Sequence, residues 1–228
     1  MKSLIYKIQL YLNLIRYKGF IEKTTYSRWK EDLFLKNYFK KTLRGRYIDI
    51  GAFHPFRASN TYLLYKKGWS GINIDLNKIS IDLFKIARPN DINLNLVLSD
   101  KKSVKIYKNK DLGIMNTTNI KFASRFLKNF DINKIRAYNF NDILHKFSSK
   151  ENFFDLIDID AEGSEYSILK KINFKKYSFK IILVETHKFD IYTKKYSKKI
   201  HKLLKSKNYK YLKNLGETAI FENSRLKN

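Results

Sequence analysis

Six carboxylates, Glu151, Asp155, Asp158, Asp160, Glu162 and Glu165, fall between Glu151 and Leu169 with no lysine or arginine among them. The rest of the chain is strongly basic, with 47 Lys+Arg against 21 Asp+Glu and a formal charge of +26. An acidic pocket inside a basic shell suits a cation: an ammonium, a sulfonium or a hard metal ion. Asp49, Asp75, Asp100 and Glu185 stand, like Asp158 and Asp160, at or just after the end of a short apolar run. Close by are Ser99, His187 and, behind Gly51-Ala52-Phe53, His54. A histidine or carboxylate so placed can take a proton from a hydroxyl, and the candidate bases are His187, Asp160 and His54. Asp158, Asp160, Glu162, Glu185 and His187 would instead hold a divalent cation such as magnesium, which lowers the pKa of a bound hydroxyl. A structural alternative stands beside both: Glu162 and Glu165 sit where a helix begins, and its dipole favours negative charge there. Asp158 also reads as a buried, hydrogen-bonded strand residue. His145 and His201 lie among lysines on helical patterns and read as surface residues.

A sheet is needed to hold these groups together. Tyr47 to Ile50, Gly71 to Ile74, Ile92 to Leu98, Phe154 to Ile159 and Lys180 to Glu185 read as strands. Asn60 to Lys67, Asn77 to Ala87, Asn139 to Phe147 and Glu165 to Ile172 read as helices between them. This alternation predicts an α/β fold, a mostly parallel sheet with helices on both faces, whose ligands bind beyond the carboxyl ends of the strands. The acids and histidines above are at those ends. Arg136 to Asn139 is a candidate further strand, and Lys101 to Arg125 reads as an irregular loop. After Glu185 a lysine-rich helix carries Tyr192, Tyr196, Ile200 and Leu203 on one face, and Tyr209 to Leu212, Gly216 and Thr218 to Phe221 read as a closing hairpin.

Ahead of the sheet, a helical extension over residues 1–45 precedes a domain over 46–228. Its first helix, to Arg16, puts Leu4, Ile5, Ile8, Leu12 and Ile15 on one face; a second covers Tyr26 to Lys41. The stripe reads as a face packed on the domain, with an interfacial membrane helix as the alternative. Lys2, Lys7 and Arg16 interrupt any signal peptide or transmembrane span.

At 228 residues and 43% hydrophobic content the chain fills one sizeable core, which excludes wholesale disorder. With no cysteine it has no disulfide framework and no thiolate-ligated metal, so the cytoplasm is the default compartment, the inner membrane face the peripheral option. Lys, Asn, Ile, Tyr and Phe are all abundant, the usage of an AT-rich genome, and a solvated lysine coat accounts for much of the charge. Gly51 stands alone after the first strand, without the Gly-x-Gly-x-x-Gly that cradles a pyrophosphate. Asp75, about two dozen residues on, stands where an acid accepts ribose hydroxyls. A nucleoside without a pyrophosphate fits both, and S-adenosylmethionine is one whose sulfonium and ammonium match the acidic rim.

The run Asp49-Ile-Gly-Ala-Phe-His-Pro, then Ser59-Asn60-Thr61, Gly68-Trp69-Ser70-Gly71-Ile72-Asn73-Ile74-Asp75, Arg88-Pro89-Asn90-Asp91, Asn116-Thr117 and Phe154 to Glu165 together resemble the FkbM-type family of S-adenosylmethionine-dependent methyltransferases. The resemblance implies a Rossmann-like class I methyltransferase with a seven-stranded sheet and an antiparallel terminal hairpin. It implies that Asp49, Gly51 and Ala52 line the methionine part of the cofactor, that Asp75 holds the ribose, and that Ser99 and Asp100 flank the adenine. Asp158 and Glu162 join this cofactor set, with Asp160 and Glu162 facing the transfer site. The expected activity is O-methylation of a sugar hydroxyl in a glycan, glycolipid or nucleotide-linked precursor, an anionic acceptor suiting the basic surface. Two alternatives stay open: an RNA methyltransferase, such as a ribose 2′-O enzyme, and a non-catalytic module for anionic glycan or lipid.

Overall fold

A computed structural model of the chain describes residues 2–18, 23–109, 116–126, 129–147, 152–186 and 191–226. The chain divides into two compact units, Met1–Asn95 and Leu96–Asn228. Unit one runs α1 (Lys2–Lys18), α2 (Glu31–Tyr38), β1 (Arg46–Ile50), α3 (Tyr62–Lys66), β2 (Ser70–Asp75), α4 (Lys78–Ala87) and β3 (Ile92–Asn95). β1 pairs with β2 and β2 with β3, all parallel, Ile48 opposite Ile72 and Ile72 opposite Ile92. Tyr47, Ile48, Ile50, Ile72 and Ile74 are buried, which is why β1 and β2 read as apolar runs rather than alternating ones. Gly71 is set by Tyr47, whose ring would lie 2.2 Å from a Cβ at that position. The Tyr47 hydroxyl donates to Asp91, which also accepts from Gly71 N at 2.8 Å and Asn73 Nδ2 at 2.9 Å. Asn77 caps α4 by accepting from Ile79 N.

The helical extension packs into this unit: Leu10, Leu14 and Tyr26 form one buried cluster with Phe56, Tyr62 and Leu83. The packed face of α1 is not the expected one. Leu4, Ile5, Ile8, Leu12 and Ile15 are exposed, while Leu10 and Leu14 turn inward. The helix has two apolar faces, and periodicity alone does not say which is covered. α2 is also shorter than expected. The Thr25 hydroxyl, Tyr26 N and the Ser27 hydroxyl donate to the Asp32 carboxylate at 2.7, 2.6 and 2.8 Å, and Lys30 takes φ 67°. Those bonds fix residues 26–30 as a turn, where a helical first turn leaves the Tyr26 amide without this partner.

Unit two runs β4 (Val97–Leu98), β5 (Ser103–Asn109), β6 (Asn116–Thr117), α5 (Ile120–Phe126), β7 (Phe130–Tyr138), α6 (Phe140–Phe147), β8 (Phe153–Ile159), α7 (Glu165–Lys171), β9 (Ser178–Glu185), α8 (Ile191–Ser206), β10 (Tyr209–Leu215) and β11 (Thr218–Asn223). β8 and β9 are parallel neighbours, and β11 lies antiparallel to both β9 and β10, closing the expected hairpin. With β1 to β3 these strands give the α/β fold its mostly parallel seven-stranded sheet. A second sheet, ordered β4-β7-β5-β6, replaces the irregular loop expected over Lys101 to Arg125, with β5 pairing antiparallel to β7 from Ser103 opposite Arg136 to Asn109 opposite Phe130. β5 buries the adjacent Ile106 and Tyr107 and β7 buries only Ala137, so the apolar signal that marks a strand is thin. The single strand expected from Ile92 to Leu98 is two, β3 and β4, in different sheets.

Candidate active site

In unit one the chain leaving β1 turns at Gly51, where φ is 80° and a Cβ would be strained. Gly51 N and Ala52 N both donate to Ile74 O, at 2.9 and 3.2 Å, so the turn lies across the end of β2. Phe53 N then donates to Asp75 Oδ2 at 2.8 Å, and Asn77 N to Oδ1 at 2.6 Å. Burial outweighs these two amides and pushes the Asp75 carboxyl up to about 6. Each oxygen keeps a further lone pair, the capacity a vicinal diol needs. Asp49 is buried and accepts from Thr61 Oγ1 at 2.7 Å; burial raises its pKa, against the Thr61 bond and the charge of Arg88.

His54 is committed within the fold. Its Nδ1 accepts from Phe56 N and Arg57 N, each at 3.0 Å, which leaves Nε2–H to donate to Asn13 Oδ1 of α1 at 2.9 Å. Burial, then the charges of Arg57, Arg88 and Lys23, hold the imidazole neutral with a pKa of about 4. Nδ1 thus serves the 51–59 turn, and Nε2 ties that turn to α1.

Arg88, which the charge pattern of the sequence did not single out, organises the same turn. Its guanidinium is fully buried, with NH1 donating to Thr61 Oγ1 at 2.8 Å and NH2 to Pro55 O at 2.5 Å and Ser59 Oγ at 2.7 Å. The Phe84 and Tyr62 rings lie 4.8 and 5.3 Å from its central carbon. Thr61 accepts from Arg88 and donates to Asp49, so the arginine positions the acid through one hydroxyl.

In unit two, Ile159 of β8 pairs with Val184 of β9, so the next residue on each strand, Asp160 and Glu185, meet side by side. Their carboxyls lie close enough to share a hydrogen bond. Such a bond requires a proton between two groups that otherwise only accept. Burial raises the Glu185 pKa, the bond with Asp160 lowers it, and the carboxylates of Glu162, Glu165 and Glu217 raise it again, to about 8. Glu162 completes a group in which one oxygen from each of Asp160, Glu162 and Glu185 lies within 4.8 Å of the others.

The turn bearing Glu162 is left-handed at two successive residues, φ 48° at Glu162 and 91° at Gly163. A non-glycine residue there costs on the order of 1–3 kcal/mol, so the turn needs support. Glu165, fully buried, accepts from Ala161 N and Gly163 N at 2.9 Å each. Thr117 Oγ1 donates to Glu162 O at 2.7 Å, Asn119 Nδ2 to Gly163 O at 2.8 Å, and the Thr118 and Ser164 hydroxyls bond at 2.8 Å. The structural role that the sequence offered for both Glu162 and Glu165 is filled by Glu165, and the Thr117–Asn119 strap is a positioning element that charge patterning did not reveal.

Asp158 is buried in β8. Ser99 N donates to Tyr138 O at 2.9 Å, and Asp100 is exposed and bridged to Lys171 Nζ at 2.6 Å. His187 lies outside the described residues. No described helix is long and apolar enough to cross a membrane.

An Asp-Ile-Gly turn after one strand, an acid closing the next and an acidic left-handed turn further on fall within a match to the methyltransferase FkbM domain over residues 49–211. The chain belongs to the FkbM methyltransferase family. Similar solved structures include an O-methyltransferase from Bacillus cereus in complex with SAH, 12% identical with a TM-score of 0.48 over 95% of this chain and 88% of that one. A TehB-like SAM-dependent methyltransferase from Corynebacterium glutamicum is 14% identical, TM-score 0.44, over 95% and 96%. A human methyltransferase 10 domain containing protein is 14% identical, TM-score 0.45, over 99% and 96%. No curated protein matches the chain by sequence. Membership in the FkbM family makes this an S-adenosylmethionine-dependent methyltransferase. The residues present fit that cofactor: a turn at Gly51 free of a Cβ, and carboxylates at Asp49 and Asp75 for a ligand that carries positive charge.

Proposed function

We propose that this FkbM methyltransferase O-methylates a hydroxyl of a sugar, in a glycan, a glycolipid or a nucleotide-linked precursor. The observation that supports this reading is the Asp160–Glu185 carboxyl pair closing two adjacent parallel strands. When bound, S-adenosylmethionine supplies an electrophilic methyl group on a sulfonium. A sugar hydroxyl holds its proton tightly, and a positioned base that removes it during transfer contributes roughly 10²–10⁴-fold. Ionised Glu185, beside Asp160, is such a base, with a pKa of about 8. In this reading Asp75 takes the ribose hydroxyls and Asp49, oriented by Thr61, the ammonium. His54 serves the turn and takes no proton. A second reading rests on the spacing of Asp160, Glu162 and Glu185: a divalent cation such as magnesium would replace the shared proton and lower the pKa of the acceptor hydroxyl.

Labelled methyl transfer into glycan, glycolipid and RNA fractions, assayed side by side, tests the acceptor. Label is expected as a methyl ether on sugar; label in RNA alone would overturn the sugar reading. Asp75→Ala is expected to weaken cofactor binding by about 1.5–3 kcal/mol in calorimetry, the cost of losing a charged acceptor. An unchanged affinity would move the ribose contact to another residue.

A further inference from the structure

α1 covers unit one with one face and leaves a second apolar face in solvent. Leu4, Ile5, Ile8, Tyr11, Leu12 and Ile15 are 63, 52, 49, 54, 60 and 52% exposed. At about 100° per residue these six side chains fill one continuous arc roughly 120° wide, opposite the arc of Tyr6, Leu10 and Leu14. Exposed bases border it on both edges, Lys7 and Lys18 on one and Arg16 on the other, and α1 contains no acidic residue. An apolar face between two rows of cations matches the boundary between acyl chains and anionic headgroups, where the aliphatic stems of the bases follow the apolar face and their charges reach phosphate. A second copy of the chain suits this face poorly, since two-fold pairing would bring basic edges and a +26 chain against their like. Nucleic acid would engage the bases and leave the apolar arc in water.

We propose that α1 docks this protein on an anionic lipid bilayer, lying in the interface rather than crossing it. The helix is fixed to the turn that carries Gly51: Asn13 accepts from His54, the Tyr17 and His54 rings are 5.0 Å apart, and Arg57 NH1 donates to the Tyr17 hydroxyl at 3.1 Å. Docking therefore holds that turn at the lipid surface as one piece with α1. The proposal is independent of which acceptor is methylated.

The test is sedimentation of the full chain with vesicles of phosphatidylcholine alone and of phosphatidylcholine with phosphatidylglycerol. Binding to the anionic vesicles is expected, and much less to the neutral ones. Ile8→Gln with Leu12→Gln alters two exposed side chains, keeps the charge and retains helix propensity, so an unchanged circular dichroism spectrum is expected with partitioning weaker by roughly tenfold or more. Wild-type protein that stays in solution with anionic vesicles would overturn the proposal. Equal binding by the double variant would overturn it as well, leaving the lysine coat alone as the attraction. So would a lipid-free dimer that the double variant dissociates, which assigns the face to a second copy.

Discussion

Glu185→Gln and Asp160→Asn are each expected to lower turnover by about two to four orders of magnitude while leaving cofactor affinity unchanged in calorimetry. Each amide keeps the shape of the carboxyl it replaces and a hydrogen bond to its neighbour, but neither takes up a proton. Because the two carboxyls act on the same proton in this account, the double variant is expected to lose little more than either single one. Glu185→Gln has a second expected effect of opposite sign. Glu162, Glu165 and Glu217 all disfavour a charge at position 185, so removing that charge is expected to raise the unfolding midpoint. Lower activity with higher stability separates a group kept for chemistry from one kept for packing. A change in KM alone, or a rate within a few-fold of wild type, would mean that the pair does not accept the proton.

Arg88→Met is expected to destabilise the fold by about 3–5 kcal/mol in urea unfolding, a large part of the total stability of a typical domain. Methionine fills much of the volume but leaves Pro55 O, Ser59 and Thr61 without their donor and Asp49 and Asp91 without the charge that offsets their burial. Arg88→Lys restores the charge without the fork, so it is expected to recover part of the stability. Its cofactor affinity is expected to stay reduced, since one ammonium cannot hold Thr61, Ser59 and Pro55 together. Wild-type stability in Arg88→Met would show that the turn holds without it.

Strand ends were legible in the sequence because parallel strands buried on both faces stand out as apolar runs, and Asp49, Asp75, Asp160 and Glu185 could be placed on them. Three things were not. β7 is largely exposed and β5 buries two adjacent residues, Ile106 and Tyr107, so these strands lack the alternating burial that reveals a half-buried sheet. The covered face of α1 depends on where Phe56, Tyr62 and Leu83 lie, information that no local pattern contains. Arg88 is one base among 47 Lys+Arg; the Arg88-Pro89-Asn90-Asp91 run marked it as part of the family pattern, but its role as the buried anchor of the turn shows only in three dimensions. In the acidic run, spacing grouped Glu162 and Glu165 as alternative caps, and the fold divides them: Glu165 bonds the turn amides, and Glu162 joins the carboxylates of Asp160 and Glu185. Which oxygen of a glutamate reaches back to a turn is decided by backbone angles that the residue order does not display.

The central claim is that this carboxyl pair receives the acceptor's proton, and the pH dependence of kcat/KM for labelled methyl transfer, measured with a chelator present, tests it most directly. Burial and neighbouring carboxylates raise the folded pKa of Glu185 to about 8, so Glu185 holds its proton at neutral pH and becomes the active base only as pH rises through that value. The expected result is a rate that climbs about tenfold per pH unit below about 8 and levels off above it, with the climb absent in Glu185→Gln. A rate that is flat across this range, or one that the chelator abolishes and magnesium restores, would contradict the account.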